Sequence, residues 1–240
     1  MLARQSCITR LTTVKRRKKR RVRGVLAQTM VTRFSFATAT VSAGARSEDR
    51  AAVFEHDDAL VVVVADGAGG VAGGGAASDA VVDAARARVE ERPFDPYDIR
   101  AWSDLLVTAD ATLARSKDAG ETTAIVVVLG PYGIAGVSAG DSEAWIVGPR
   151  IDRLTESQDR TRLGTGRARP TRFHRRMVDG VLVVATDGLF KNARSGAIRA
   201  CCTGEVADIA NRLADLPKLR SAAHPDDVAV VVCVPAEMRA

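Results

Sequence analysis

The apolar segments of this sequence are mostly short, rich in valine and separated by turns rather than by helices. Strand-like runs occupy residues 32–41, 50–54, 60–65, 122–129, 134–139, 143–147, 181–186 and 228–234, and helical spacing occurs at 75–91, 98–116 and 205–216. Strands that follow one another without a crossover helix pair antiparallel, because a parallel pair needs a connection of about a dozen residues. The sequence therefore predicts an α+β fold of antiparallel sheets with helices packed outside them.

The chain divides into a basic N-terminal segment and one body. Residues 1–29 contain ten Lys or Arg and no acid, and the run VKRRKKRRVRG at 14–24 is a block of like charge that stays solvated. The 240-residue chain is 46% hydrophobic, which suffices for one sizeable core. We therefore predict a disordered basic extension at 1–29, with Met30 as an alternative start, and a single domain at 30–240.

The charge and the cysteines restrict the class of partner and the compartment. The net charge is +6, but from Met30 onward 25 basic residues face 29 acidic ones, so nucleic-acid binding is unsupported apart from the basic tail. The four cysteines include an adjacent pair and no C-x-x-C spacing, which favours a reducing compartment. No apolar run reaches the ~20 residues of a membrane span. These features predict a cytoplasmic protein without a membrane span.

Acidic residues mark one end of most strand-like runs. Three runs end on an aspartate and two begin just after a pair of acids, which gives Asp66, Asp141 and Asp187, then Glu48 with Asp49, and Asp226 with Asp227. In antiparallel neighbours the C-terminal end of one strand lies beside the start of the next. All five motifs can therefore meet at one edge of the sheets.

Such a cluster of carboxylates requires cations. Two carboxylates about 4 Å apart repel by ~1 kcal/mol in water and by ~4 kcal/mol at an effective dielectric constant of 20. Because no His or Cys stands at these positions, the all-oxygen ligand set favours Mg²⁺ or Mn²⁺ over zinc or copper. Two such ions would lower the pKa of a bridging water and hold a phosphate for in-line attack. The pattern predicts hydrolysis without a protein nucleophile.

Six short segments repeat the order of motifs in a known family. They are SEDR (47–50), ADGAGG (65–70), ETTA (121–124), AGDSEA (139–144), ATDGLF (185–190) and DDVAVVV (226–232). In this order they resemble the motifs of the metal-dependent type 2C (PPM-type) serine/threonine protein phosphatases, in their bacterial form, over residues 33–235. The resemblance implies a four-layer sandwich of two antiparallel sheets flanked by helical pairs. It also implies hydrolysis of phosphoserine or phosphothreonine on a protein substrate. This reaction would counteract a serine/threonine kinase.

The resemblance also implies roles for individual acids. It assigns a catalytic metal centre of two Mn²⁺ or Mg²⁺ ions, with a weaker third ion in bacterial members, to Asp66, Gly67, Asp187, Asp226, Glu48, Asp49 and Asp141. Asp66 would bridge two ions, and the Gly67 carbonyl would help to bind the second. Asp187 and Asp226 would complete the shell of the first ion. The other three acids would act through metal-bound waters (Glu48 and Asp49) or at the third ion (Asp141).

Two positions depart from the family pattern. Ala68 stands where some eukaryotic members carry a proposed general-acid histidine, so the leaving group must receive its proton from water or elsewhere. The phosphate-binding arginine usually lies four residues before the glutamate, where this chain has Gly44. Arg46, two residues before Glu48, is the best candidate for that role, with Arg50 or an arginine of the 160–172 segment as alternatives.

The Arg-rich stretch from Asp152 to Arg176 lacks apolar periodicity. It contains five arginines between Arg160 and Arg172, enough positive charge to attract a phosphorylated protein. A solvated loop without such a role is equally compatible with this composition. The sequence predicts a mobile loop near the site.

Two rival motifs are present but lack their structural context. The segment GAGGVA at 67–72 fits the dinucleotide fingerprint, yet Asp66 would face the pyrophosphate and the alternating strands and helices of that fold are missing. The segment GVSAG fits a serine-hydrolase elbow, with Ser138, Asp187 and His224 in triad order. That elbow must open into a helix, whereas a turn and another strand follow here. A serine hydrolase using Ser138, or a catalytically weak binding or regulatory module of the type 2C fold, remains the alternative.

Overall fold

The structure is a computed structural model that describes residues 34–44, 46–68, 73–176, 179–219, 221 and 223–236. The predicted extension at 1–29 and the boundary at Met30 lie outside these residues. No helix within the described ranges is both long enough and apolar enough to span a bilayer.

The described residues form twelve strands and five helices. In chain order the strands are β1 (Phe34–Val41), β2 (Arg50–His56), β3 (Ala59–Ala65), β4 (Gly67–Ala68), β5 (Glu121–Thr122), β6 (Ala124–Gly130), β7 (Gly133–Ala139), β8 (Glu143–Val147), β9 (Ile151–Arg153), β10 (Thr171–Arg175), β11 (Val181–Ala185) and β12 (Val228–Pro235). The helices are α1 (Gly73–Glu90), α2 (Ile99–Leu113), α3 (Asp187–Phe190), α4 (Ser195–Cys201) and α5 (Val206–Asp215).

Two five-stranded sheets carry the fold, and all their strand pairs are antiparallel. One sheet has the order β1-β12-β11-β8-β9 and the other the order β10-β7-β6-β3-β2, while β4 and β5 form a short separate ribbon. The antiparallel pairing follows from the short connections, such as the two-residue turn between Gly130 and Gly133 that joins β6 to β7.

The apolar run of β3 shows how the sequence specifies a layered core. All of its side chains are buried; Leu60, Val62 and Val64 pack toward the other sheet, and Val61 and Val63 pack toward α1 and α2. Successive side chains of a strand point to opposite faces, so a strand covered on both faces must be apolar throughout.

The second sheet is covered in the same way by the other helices. Val183 and Val230 pack with Ile209 and Leu213 of α5, whereas Leu182 contributes to the core between the sheets. The order of layers is helices, sheet, sheet, helices. The predicted α+β four-layer sandwich is therefore confirmed.

The prediction for the Arg-rich stretch needs correction. The stretch predicted to be a loop, residues 152–176, includes the end of β9 and all of β10, which pairs with β7. Between these strands, Leu163 exchanges backbone hydrogen bonds of 3.0 and 2.8 Å with Thr122. The Asp110 carboxylate of α2 accepts backbone N–H bonds from Gly164, Gly166 and Ala168 at 2.8–3.0 Å. We refer to residues 154–170 as the strap.

Candidate metal centre

Three strand ends bring aspartates together at one edge of the sandwich. Asp66 follows β3, Asp141 lies two residues after the end of β7, and Asp187 begins α3 two residues after the end of β11. One carboxylate oxygen from each of the three lies within 4.8 Å of the others. Antiparallel connections and the order of the strands produce this convergence from residues up to 121 positions apart in the chain.

The backbone around Asp66 is fixed by the ETTA segment. Thr123 accepts a 3.0 Å hydrogen bond from the Asp66 N–H through its hydroxyl and donates its own N–H to the Asp66 carbonyl at 2.9 Å. The Thr122 hydroxyl donates to the same carbonyl at 3.0 Å. Thr123 also shares a 2.6 Å hydroxyl hydrogen bond with Ser142, next to Asp141. These contacts hold two of the three acid-bearing turns in register.

Glycines permit the close approach of the chain segments. A Cβ at Gly67 would lie 2.2 Å from the Gly74 carbonyl oxygen and 2.8 Å from that of Glu48, so only glycine fits there. Gly140, which leads into Asp141, has a φ of +92° and would place a Cβ 2.6 Å from Thr123. The Glu48 carboxylate lies against Gly74 at the start of α1.

Asp49 and Asp226 extend the acidic cluster from a second side. Asp49 is 4% exposed, and its Oδ2 has no hydrogen-bond partner among the described residues. Burial, together with the negative charges of Asp227, Asp226 and Asp187, raises the pKa of Asp49 to about 7, although a hydrogen bond with Thr186 lowers it. Burial also raises the pKa of Asp226; a hydrogen bond from the Asp227 N–H opposes the rise, and the charges of Asp187 and Asp227 add to it.

Asp66 is also partly buried and close to other acids. Burial, together with the negative charges of Asp49 and Asp187, raises the pKa of Asp66 to about 9. The positive charge of Arg162, on the strap, lowers the pKa of Asp66. Without a metal ion, Asp66 and Asp49 therefore favour the protonated carboxyl over the carboxylate.

The donor set fits hard divalent cations. The Asp49 Oδ2 and the Asp141 Oδ1 are buried carboxylate oxygens without a hydrogen-bond partner among the described residues. An all-oxygen set of this kind suits Mg²⁺ or Mn²⁺, whose charge would replace the protons on the crowded acids. Asp66, Asp141 and Asp187 are placed to share such ions.

A lysine lies inside this cluster. The Lys191 Nζ donates to the Asp141 Oδ2 at 3.0 Å and to the Asp187 Oδ2 at closer range. The hydrogen bond to Asp187 raises the pKa of Lys191 to about 12. The ammonium is thus an internal cation for two of the three aspartates.

The loop that carries Arg46 is anchored by Asp227. The Asp227 carboxylate accepts N–H bonds from Ala43 at 2.7 Å and from Glu48 at 2.8 Å. Arg46 is exposed on this loop. Asp227 therefore organises the loop before the acids, while the charge of Asp187 acts on its neighbour Asp226.

The Arg50 guanidinium binds other groups of the protein instead of facing the acids as a phosphate-binding arginine would. Its Nε and Nη2 bind both oxygens of Asp79 at 2.6 and 3.0 Å. Its Nη1 donates to the carbonyl oxygens of Ser47 and Asp49 at 2.8 and 3.0 Å. These bonds occupy the guanidinium, so Arg50 supports the backbone of the acid pair, and Arg162 is the alternative to Arg46.

The serine-hydrolase motif is not assembled. Ser138 is fully buried within β7, and the segment after it turns into β8 instead of a helix. His224 contacts Asp215 at 3.5 Å, and Asp187 contacts Lys191. The dinucleotide reading fails too, because the sheet beside Gly67 is antiparallel.

Several residues that shape the site have no individual role in the sequence-based predictions, where Arg162 enters only as one arginine of the 160–172 segment. Lys191, Arg162, Thr123 and Asp227 are the most prominent of them. The spacing of Lys191, four residues after Asp187, was a usable signal, because residues i and i+4 share one face of a helical turn. For Arg162 the only signal was membership of an Arg-rich stretch.

Known structures share this architecture, although no protein-family profile and no curated protein matches the sequence. A bacterial serine phosphatase crystal structure aligns with a TM-score of 0.74 and 18% identity, covering 85% of this chain and 98% of that chain. Serine/threonine phosphatase Stp1 from Staphylococcus aureus aligns with a TM-score of 0.73 and 19% identity, covering 89% of this chain and 99% of that chain.

A third structure was solved with metal. The catalytic domain of serine/threonine protein phosphatase PstP, in complex with two manganese ions, aligns with a TM-score of 0.69 and 22% identity, covering 83% of this chain and 97% of that one. The chain therefore has the fold of the bacterial serine/threonine phosphatases. The resemblance to the type 2C family inferred from the motifs is confirmed at the level of this fold.

Proposed function

We propose that this protein is a metal-dependent phosphatase that hydrolyses phosphoserine or phosphothreonine on proteins. The observation that carries the proposal is the convergence of Asp66, Asp141 and Asp187 within 4.8 Å, at the edge of a fold shared with bacterial serine/threonine phosphatases. We assign a cytoplasmic location and a role opposite a serine/threonine kinase as part of the same proposal.

The proposed centre uses this chain's acids in distinct ways. Asp66 would bridge two Mn²⁺ or Mg²⁺ ions, with Asp187 and Asp226 on one ion and the Gly67 carbonyl on the other. Glu48 and Asp49 would contact the ions through water, and Asp141 is the acid that a third ion would use. When bound, such ions supply a water of lowered pKa and a clamp for the phosphate oxygens.

The positive groups around the acids would guide the substrate. A phosphate dianion is repelled by uncompensated carboxylates, so binding depends on the ions and on nearby guanidinium groups. Arg46 lies on the loop before Glu48, and Arg162 acts on Asp66 from the strap. We assign the phosphate contact to Arg46, with Arg162 as its alternative.

The direct test is metal-dependent turnover by the full chain. We expect hydrolysis of p-nitrophenyl phosphate and of a phosphothreonine peptide with Mn²⁺ or Mg²⁺, and loss of activity in EDTA that is restored by excess metal. Full activity in chelator would refute the metal mechanism. Saturable Mn²⁺ binding without turnover on either substrate would favour a binding module of the same fold.

Replacing Arg46 by alanine tests the phosphate contact. A bidentate, charge-assisted contact is worth ~1.5–3 kcal/mol, so Arg46→Ala should lower kcat/KM about ten- to a hundredfold with little change in Mn²⁺ affinity. Arg46→Lys should recover only part of the loss, because an ammonium lacks the planar fork.

The control for this experiment is Arg100→Ala, an exposed arginine on α2. It should retain the wild-type kcat/KM. If Arg46→Ala stays within about twofold of wild type while Arg162→Ala shows the loss, the phosphate contact belongs to Arg162.

A further inference from the structure

Lys191 is positioned by its own helical turn to face the metal centre. It follows α3 at the fourth residue after Asp187, and its backbone N–H donates to the Asp187 carbonyl at 2.8 Å. This spacing sets the side chains of Lys191 and Asp187 on the same side of the turn. The ammonium reaches Asp187. It also reaches the Asp141 Oδ2, in the turn between β7 and β8, at 3.0 Å.

The contacts of the ammonium are those of a bridging cation. One oxygen of Asp141 and one of Asp187 share the same Nζ. Asp187 is nearly buried, with 6% of its side chain exposed, whereas 56% of the Lys191 side chain is exposed. The charged end therefore enters the acidic cluster from the solvent side, where a soluble ion would also arrive.

We propose that the Lys191 ammonium takes the place of a divalent cation between Asp141 and Asp187. The centre of this chain then binds one divalent ion fewer than its carboxylates would otherwise hold. The inference rests on the proposed metal-dependent function for its context, and it changes the expected role of Asp141 from ligand of a third ion to partner of a lysine.

Electrostatics explains why the ammonium and a third ion exclude each other. A divalent cation at the Asp141–Asp187 pair would stand within a few ångströms of Nζ, where like charges repel strongly in a partly buried site. A metal could bind there only after the lysine side chain had moved to solvent. The ammonium is covalently attached, so its local concentration does not fall when metal is scarce.

Counting bound Mn²⁺ on purified, metal-stripped full-length protein tests this substitution. Isothermal titration calorimetry, with free Mn²⁺ followed by electron paramagnetic resonance, gives the number of ions per chain without any measurement of turnover. We expect Lys191→Met to bind one Mn²⁺ more per chain than the wild type. Lys191→Arg, which keeps the charge, and Lys218→Met, which removes a surface lysine 3.9 Å from Asp215, should both bind the wild-type number.

The difference between variants separates this inference from the proposed function. An unchanged count in Lys191→Met, or three ions in the wild type, would overturn the lysine substitution while leaving a metal-dependent phosphatase in place. No Mn²⁺ in the wild type and one in Lys191→Met would support the substitution and refute the two-ion centre. No Mn²⁺ in either protein would overturn both.

Thermal unfolding distinguishes the proposed role of Lys191 from that of an ion pair that only stabilises the fold. We expect Lys191→Met to lower Tm in EDTA, because the acids lose their internal cation, and the deficit to disappear at saturating Mn²⁺. An equal deficit in EDTA and in Mn²⁺ would overturn the inference. If Lys191→Met does not fold without metal, Asp141→Asn decides: it should keep the wild-type number of ions, and the loss of one would contradict the proposal.

Discussion

Asp187→Asn is expected to abolish phosphatase turnover, with a loss of at least about a hundredfold in kcat, while the protein stays folded. Substitutions that only reorient a metal ligand already cost about 10–100-fold in affinity or activity, and this one removes an anionic ligand itself. The fold should persist because Asp49 and Asp66 repel Asp187 in the metal-free protein, and relief of this repulsion offsets the lost contact with Lys191. Steady-state kinetics at saturating Mn²⁺ and circular dichroism measure the two effects.

The matched control is Asp152→Asn, which removes a carboxylate that pairs with Arg175 on the surface at 2.6 Å. It should keep wild-type kinetics. Retention of activity by Asp187→Asn at saturating Mn²⁺ would show that Asp187 is not a direct metal ligand. Unfolding of Asp187→Asn would instead mean that its contact with Lys191 contributes more to stability than its repulsion by the other acids removes.

The strands and their partners were largely predictable because the core enforces a local pattern. Unbroken valine runs such as 60–65 can only be strands covered on both faces, and the absence of helices between them dictates antiparallel neighbours. The same topology predicts that strand ends meet, so Asp66, Asp141 and Asp187 could be placed together before any coordinates were known. Such inferences depend on backbone periodicity, which a single sequence displays directly.

The strap and the side-chain network could not be predicted on that basis. Strand β10 reads TRFHR and lies at a sheet edge, where only one face is covered, so its apolar signal is weak. The anchoring of the strap by Asp110 depends on three backbone N–H groups more than fifty residues away. Likewise, the i, i+4 spacing places Lys191 near Asp187, but nothing local in the sequence predicts that the ammonium also reaches Asp141.

In EDTA, the stability of the wild-type protein is expected to fall as the pH rises from about 4 to about 9. The pKa of Asp66 is raised from 3.8 to about 9 in the folded state, chiefly by burial. Between these values the folded state holds a proton that the unfolded state releases, so raising the pH favours unfolding. One such proton gives a slope of at most about 1.4 kcal/mol per pH unit, and Asp49, raised to about 7, adds to it in the lower part of the range.

Thermal unfolding at pH 5 and pH 8, with EDTA or with Mn²⁺, measures this slope. A loss of 1 kcal/mol shifts Tm by about 2–4 °C in a protein of this size, so Tm in EDTA should drop by about 3–5 °C per pH unit. Mn²⁺ should raise Tm more at pH 8 than at pH 5, because protons compete with the ion for the same oxygens. Asp66→Asn should flatten the slope in EDTA, while Asp104→Asn, an exposed carboxyl on α2, should not. A Tm in EDTA that rises between pH 5 and pH 8 would contradict the crowding of acids at this site, since the folded state would then have to prefer the carboxylates even without a cation.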